Sequence, residues 1–255
     1  MAFYATLPSN GSRYFPDNKA TNYKIKLLEK VIVAPNSYEV ALTELTYICS
    51  LRTFTGSNED NLIEFTGKTG GFIDLPLLHY SSIDHLVHAV NQEFEKHGVP
   101  CSLFHSNVKC RISLEVGTGY AISISEKLSD ILGFDGETQF DSEEPNETQS
   151  PTFFYGRFRP DILGGRYHIF IYCDIIDSQI VGSALVPLLR MVNIIGNEGQ
   201  AITQTFSTPF YHRVSRSEFD TISILLCDEF GEELPIDKGQ VTLTLHFRKI
   251  GNNGE

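Results

Sequence analysis

No tryptophan occurs anywhere in the 255 residues, which removes the side chain best suited to stacking on sugars and leaves that work to Tyr and Phe. Basic residues are scarce as well: 20 Lys and Arg against 32 Asp and Glu leave a formal charge of -12 and a pI near 5.1. A protein that grips phosphates through a broad basic face is not built this way, so sequence-specific nucleic-acid binding is not expected. The N-terminal segment is a local exception, where Arg13, Lys19, Lys24, Lys26 and Lys30 outnumber Asp17 and Glu29. That cluster reads as a solvated face. No apolar run approaches the roughly 18 residues needed to span a bilayer, because Asp174, Asp177, Ser178 and Gln179 interrupt the longest candidate. No C-x-x-C pair is present; Cys49, Cys101, Cys110, Cys173 and Cys227 are odd in number and scattered, which points to thiols in a reducing compartment. The opening "MAFYATLPSNGSRYFP" lacks a basic start followed by an apolar core, so no secretory signal is expected. The glycosylation sequons at Asn10 and Asn146 are then expected to go unused.

What is present reads mostly as strands. "TNYKIKLL" alternates Tyr23, Ile25 and Leu27 against polar neighbours, and "YEVALTELTYI" puts Val40 and Leu42 on one face before its phase slips at Glu44 and Leu45, as a β-bulge produces. "NLIEFTGKTGGFIDLPL" predicts a hairpin across Gly67 to Gly71. "GQVTLTLHFRK" places Val241, Leu243, Leu245 and Phe247 on one face, and "FDTISILLCD" keeps Ile222, Ile224 and Leu226 in phase. The intervening "FGEELPIDKG" suits an exposed loop.

The middle of the chain differs. "YSSIDHLVHAVNQEFEKHG" spaces Ile83, Leu86, Val87, Val90 and Phe94 as a helix, with Ser81 and Asp84 as a capping box and Gly98 past its end. A shorter helix is predicted from Ser125 to Gly133, with strands and tight turns between the two. A small α+β module over 62–134 thus interrupts a mainly β chain. "DGETQFDSEEPNETQSP" then reads as an acidic loop or linker over 135–151.

Chemistry-bearing motifs are absent or incomplete. "GKTGG" lacks the glycine five positions before Gly67 that a phosphate loop needs, since Leu62 stands there. "GTGYAI" has Ile122 where a dinucleotide fingerprint needs its third glycine, and reads as a turn. His85 and His88 are three apart on the predicted helix, but no carboxylate or cysteine completes a metal set, so they read as a solvated face. Asp174 and Asp177 have the spacing of an acid and base pair, yet they end a strand, where capping a turn is the commoner use. Ser215 and Ser217 beside Arg213 and Arg216 make only a weak phosphosite. No cofactor is implied, and no nucleophile, base and oxyanion set can be assembled.

The stretch "FIYCDIIDSQIVGSALVPLLRMV", with "LPSNGSRYFPDNKATNYKIKL", "YEVALTELTY" and "SEFDTISILLCDEFGEELPIDKGQVTLTLHFRK", resembles the penton-type minor capsid proteins of Polinton (Maverick) elements and related adintoviruses, over almost the whole chain. Two positions depart: Tyr38 stands where such proteins tend to carry Trp, and Ile48 where they tend to carry Pro. The resemblance implies a single jelly-roll β-sandwich, homopentamers at the five-fold vertices of an icosahedral virion, a major capsid protein of double jelly-roll type as neighbour, and no catalytic site. A fibre or receptor docking on the vertex is a further possible partner. The layout expected is jelly-roll strands in 1–61, the α+β insertion in 62–134, the acidic loop in 135–151 and the remaining jelly-roll strands in 152–255.

Within the longest apolar stretch, Tyr167 to Cys173 have apolar residues on both faces. Two readings stay open: a core strand of a monomer, or a strand covered on its second side by the insertion or a neighbouring subunit. Pro187 assigns "SALVPLLRMV" to a sheet edge or an interface. Asp174, Asp177, Gln179 and Arg190 are the candidates for subunit contacts. A β-sandwich binding module, such as a host-retained capsid gene product that binds a glycan or protein, is the alternative to the capsid role.

Overall fold

The computed structural model describes residues 2–34, 37–56, 59–68, 70–142, 150–197, 199–236 and 238–251. In chain order these form β1 (Phe3–Pro8), β2 (Asn22–Ile32), β3 (Tyr38–Ile48), β4 (Leu62–Thr66), β5 (Gly71–Asp74), α1 (Ile83–His97), β6 (Cys101–Ser106), β7 (Arg111–Val116), β8 (Ala121–Ile124), α2 (Glu126–Leu132), β9 (Gln139–Asp141) and β10 (Thr152–Tyr155). There follow β11 (His168–Cys173), β12 (Gln179–Val181), β13 (Ala184–Val186), β14 (Leu188–Asn193), β15 (Ala201–Thr205), β16 (His212–Arg213), β17 (Glu218–Cys227) and β18 (Thr242–Lys249). Two compact units result, one from Met1–Leu51 and Arg166–Glu255, the other from Arg52–Gly165.

The first unit holds two antiparallel sheets, ordered β1-β18-β3-β15, with β16 also on β3, and β14-β11-β17-β2. Their pairing is nested. Among the eight strands β1, β2, β3, β11, β14, β15, β17 and β18, the first pairs with the last, the second with the seventh, the third with the sixth and the fourth with the fifth. A long hairpin rolled on itself gives this order, which is the wrapping of a jelly roll. The chain is therefore mainly β, a jelly-roll sandwich with an inserted α+β unit between its third and fourth strands.

Alternation in the sequence explains the packing. Val241, Leu243, Leu245 and Phe247 are fully buried, as are Ile222, Ile224 and Leu226 facing the same core. Burial of the four from the β18 face contributes roughly 6 to 12 kcal/mol as an upper bound. The phase slip in β3 is a bulge: Thr244 is opposite Glu44 but Leu245 is opposite Leu42, so Thr43 is the extra residue, just before the expected position. The loop from Asp228 is not simply exposed, since Leu234 enters the core and the Asp228 carboxylate accepts from the N–H groups of Phe230 and Glu232.

The second unit has its own core, around Phe54, Ile63, Val90, Phe94, Leu114, Ile122 and Phe140. Its sheets run β10-β7-β6 and β5-β4-β8-β9, with the hairpin across Gly67 to Gly71 as expected; Thr69 in that turn lies outside the described residues. "GTGYAI" forms a turn, closed by the Tyr120 N–H on the Gly117 carbonyl. Helix α1 starts one residue later than the capping box predicts. Ser82 is the cap, accepting from His85 N at 3.1 Å, because the Asp84 carboxylate is taken by His105 Nδ1 at 2.7 Å. Both helices end on glycines in the left-handed region, Gly98 (φ 65°) and Gly133 (φ 83°).

This unit is wider than the expected 62–134 module. Phe54 and the Asp60 carboxylate, which binds Thr55 N and Gly56 N, belong to it at the start, and β10 pairs with β7 at the end. The expected acidic loop contains β9, whose Phe140 is fully buried, because one aromatic in phase with β8 outweighs the flanking charge. Its central stretch, residues 143–149 with the Asn146 sequon, lies outside the described residues.

Candidate assembly surface

In the β14-β11-β17-β2 sheet, β14 and β2 are the two edges. Strand β11 faces the core with Ile169, Ile171 and Cys173 and leaves His168, Phe170 and Tyr172 half-buried on its other side. Burial pushes the Cys173 thiol up to about 12, so it is inert packing material. Pro187 sits between β13 and the edge strand β14, with no ladder bond lost.

Between β11 and β14 the chain makes an excursion. The strands β12 and β13 pair only with each other, across the turn Gly182-Ser183, and put Ile180 opposite Leu185. Those two side chains are 81% and 70% exposed. A two-stranded hairpin is at best marginally stable alone, so its root matters. Asp177 N donates to the Arg213 carbonyl, Ser215 N to the Ile175 carbonyl, and the Gln179 side-chain amide to the Leu188 carbonyl. The hairpin is held at its base and bare at its tip.

The four sequence candidates fall around this excursion with different tasks. The Asp174 carboxylate accepts from Ser223 N at 2.8 Å and from the Arg216 guanidinium at 3.0 Å, fixing the turn after β11. Gln179 tethers the hairpin, as above. Arg190, on β14, stacks its guanidinium 3.9 Å above the Phe206 ring and 4.5 Å from the Phe210 ring, and burial lowers its pKa. Asp177 is exposed at the hairpin's base. Sequence reasoning missed Ile180 and Leu185 themselves, although "QIVGSALV" carries the signal of a two-residue Gly-Ser turn between short apolar strands.

At the opposite edge, β2 carries a second exposed apolar pair, Leu28, fully exposed, and Ile32 at 74%. For Leu28 the exposure has a local cause, whereas Ile32 lies beyond it, in register opposite Glu218. Lys26 is opposite Thr221 and Val31 opposite Phe219, so four residues of β2 arch over the single residue Asp220. Ion pairs brace the arch from both sides, Lys26 to Asp220 and Lys30 to Glu218, each at 2.9 Å. The hydrogen bond to Lys26 holds the Asp220 carboxyl below its usual value. The beginning of this edge is closed, since Asn18 bonds both main-chain groups of Lys24 and Lys19 N donates to the Asn22 carbonyl.

Other candidate chemistry does not assemble. His85 and His88 are exposed on α1, and no group of three His, Cys, Asp or Glu suited to a metal ion occurs among the described residues. None of the five cysteines forms a disulfide. Among the described residues no helix is long and apolar enough to cross a membrane. An open cleft of about 330 Å³ lies against the loop from Tyr14 to Lys19 and the start of β2.

No protein-family model matches the chain, and no curated protein does. Among solved structures the chain is similar to the mavirus penton protein, at 11% identity and a TM-score of 0.49, covering 98% of this chain and 100% of that one. It is also similar to a chain in the cryo-EM structure of the Sputnik virophage, at 11% identity and a TM-score of 0.46, covering 97% and 98%. The jelly-roll assignment stands on the strand pairing and not on these likenesses.

Proposed function

We propose that this chain is a structural virion protein, a penton-type minor capsid subunit that forms homopentamers at the five-fold vertices of an icosahedral shell, beside a major capsid protein of double jelly-roll type. The runs that resemble Polinton and adintovirus pentons motivate the reading, and the jelly-roll wrapping suits it. A fold alone does not assign a function. The observation that carries the proposal is the β12–β13 hairpin, anchored at its root and presenting Ile180 and Leu185 to solvent. Such a knob is costly on a permanent monomer and natural on a subunit. Asp174, Asp177, Gln179 and Arg190 act in this reading as the framework and rim of the contact. The thiols belong to a protein made in a reducing compartment before it enters the virion.

Light scattering coupled to size exclusion at physiological salt tests the proposal. The expected mass is five times 28.6 kDa; a monomer at every concentration overturns it. One observation favours the alternative of a binding module. The outer face of the β10-β7-β6 sheet lines up Phe104, Ser113 and Tyr155 in one cross-strand row, with Phe153 beside it, and the three aromatics are exposed. A stable monomer that binds a glycan or protein through that face would establish the module in place of the capsid role.

A further inference from the structure

We infer that the arched edge of β2, at Leu28 and Ile32, is the surface on a neighbouring copy that receives the β12–β13 hairpin, so that the subunits join head to tail. The inference rests on the pentamer reading above and names the contact that would close it.

A cyclic pentamer cannot use one patch against itself; each subunit must offer two different patches that fit each other. The sandwich offers such a pair. The hairpin leaves the chain beside β14, and β2 is the opposite edge of the same sheet, so contacts made through them point in different directions. Both present apolar pairs that the single chain leaves bare: Ile180 and Leu185 on one side, Leu28 and Ile32 on the other. Two of the other exposed aromatics of the sandwich are engaged within the chain, Tyr4 on His246 and Phe210 under Arg190.

Charge agrees in sign. Residues 174–186 contain Asp174 and Asp177 and no base, and β2 contains Lys24, Lys26 and Lys30 against Glu29 alone; because Arg216 holds Asp174 and Asp220 and Glu218 hold Lys26 and Lys30, the complementarity that remains is chiefly Asp177 toward Lys24. The backbone agrees as well. Asn18 and Lys19 close the edge of β2 at Asn22 and Lys24, and no strand flanks its outer side from Lys26 onward among the described residues. The open stretch of edge therefore coincides with the apolar pair. A strand edge with no neighbouring strand and bare apolar side chains is a suitable seat for an incoming hairpin.

The test uses the full chain. Leu28→Asp and Ile180→Asp alter exposed side chains, so both variants are expected to keep the wild-type melting temperature, and each is expected to lower the light-scattering mass from five chains to one. Independently, Leu28→Cys with Leu185→Cys, in a Cys110→Ser background, is treated with a short bismaleimide. A ladder reaching five chains on a denaturing gel is expected from the double variant and none from either single variant. A wild-type pentamer that stays pentameric as Leu28→Asp and gives no ladder overturns the inference and leaves the pentamer reading standing. Cross-linking of the Leu185→Cys single variant to itself overturns it too, by showing a two-fold contact. A wild-type monomer at every salt and protein concentration removes the pentamer reading and this inference together.

Discussion

At the residue scale, one half-buried imidazole sets an expected pH dependence. Burial holds His212 below the usual 6.5, partly opposed by its hydrogen bond to the Leu189 carbonyl at 2.9 Å. As pH falls through that usual value the unfolded chain gains a proton that the folded chain does not, so stability drops until the folded pKa is reached and then levels. The melting temperature is expected to fall as the pH drops through 6.5, and less steeply in His212→Gln, whose amide keeps a donor for Leu189. Glu229 has the same sign in the carboxylate range: its lowered pKa contributes stability at neutral pH that is lost as the pH falls. Burial pushes its carboxyl up, but the N–H groups of Tyr167 and His168 and the His168 ring outweigh burial and hold it below the usual range. A third residue is decided by shape. A methyl at Gly133 would meet the Phe158 carbonyl oxygen at 2.4 Å and sit at φ 83°, so Gly133→Ala is expected to destabilise by about 1 to 3 kcal/mol in urea unfolding. Gly133 was legible in the sequence as a helix stop. His212 and Glu229 were not, because their partners lie 23 and 61 or more residues away and no local pattern announces them.

At the element scale, period-2 patterns read reliably wherever one face is core. β18 is the clear case, and Leu245→Ala there is expected to cost about 2 to 5 kcal/mol, measured by the shift of the urea midpoint at constant slope. Helix α1 was equally visible from its spacing, yet its cap lies one residue later than read, since Ser81 and Ser82 are chemically alike and are told apart by tertiary contacts: His105 takes Asp84, and the His85 ring lies against Ser81. Ser82→Ala is expected to cost about 1 kcal/mol, and Ser81→Ala much less. Short strands escaped the reading for a physical reason. β9, β12 and β13 have three residues each, too few to show a period, and their existence depends on partners. The proposed assembly surface is drawn from β12 and β13 and from the arch of β2, where Leu27-Leu28 breaks the alternation; the four polar candidates lie around the hairpin's root, and its apolar pair was not identified.

At the scale of the whole molecule, charge and chain order both have consequences. A pentamer would carry 5 × -12 = -60 formally, and that repulsion is screened only weakly at low ionic strength. The fraction of pentamer is therefore expected to fall as salt is lowered; a light-scattering mass unchanged between low and physiological salt would refute this. The nested pairing acts earlier, during synthesis. Since β1 closes on β18 and β2 on β17, these two early strands have no partners until β17 and β18 have been made. The inserted unit is contiguous, so all of its strands and helices are complete by Gly165, well before that moment. The order of folding follows from the order of the chain: the insertion first, the sandwich last, with the longest-range contacts formed at the end. Through that interval β2 has no partner strand, and the lysines along it are of the kind that discourages such a strand from pairing with the wrong chain.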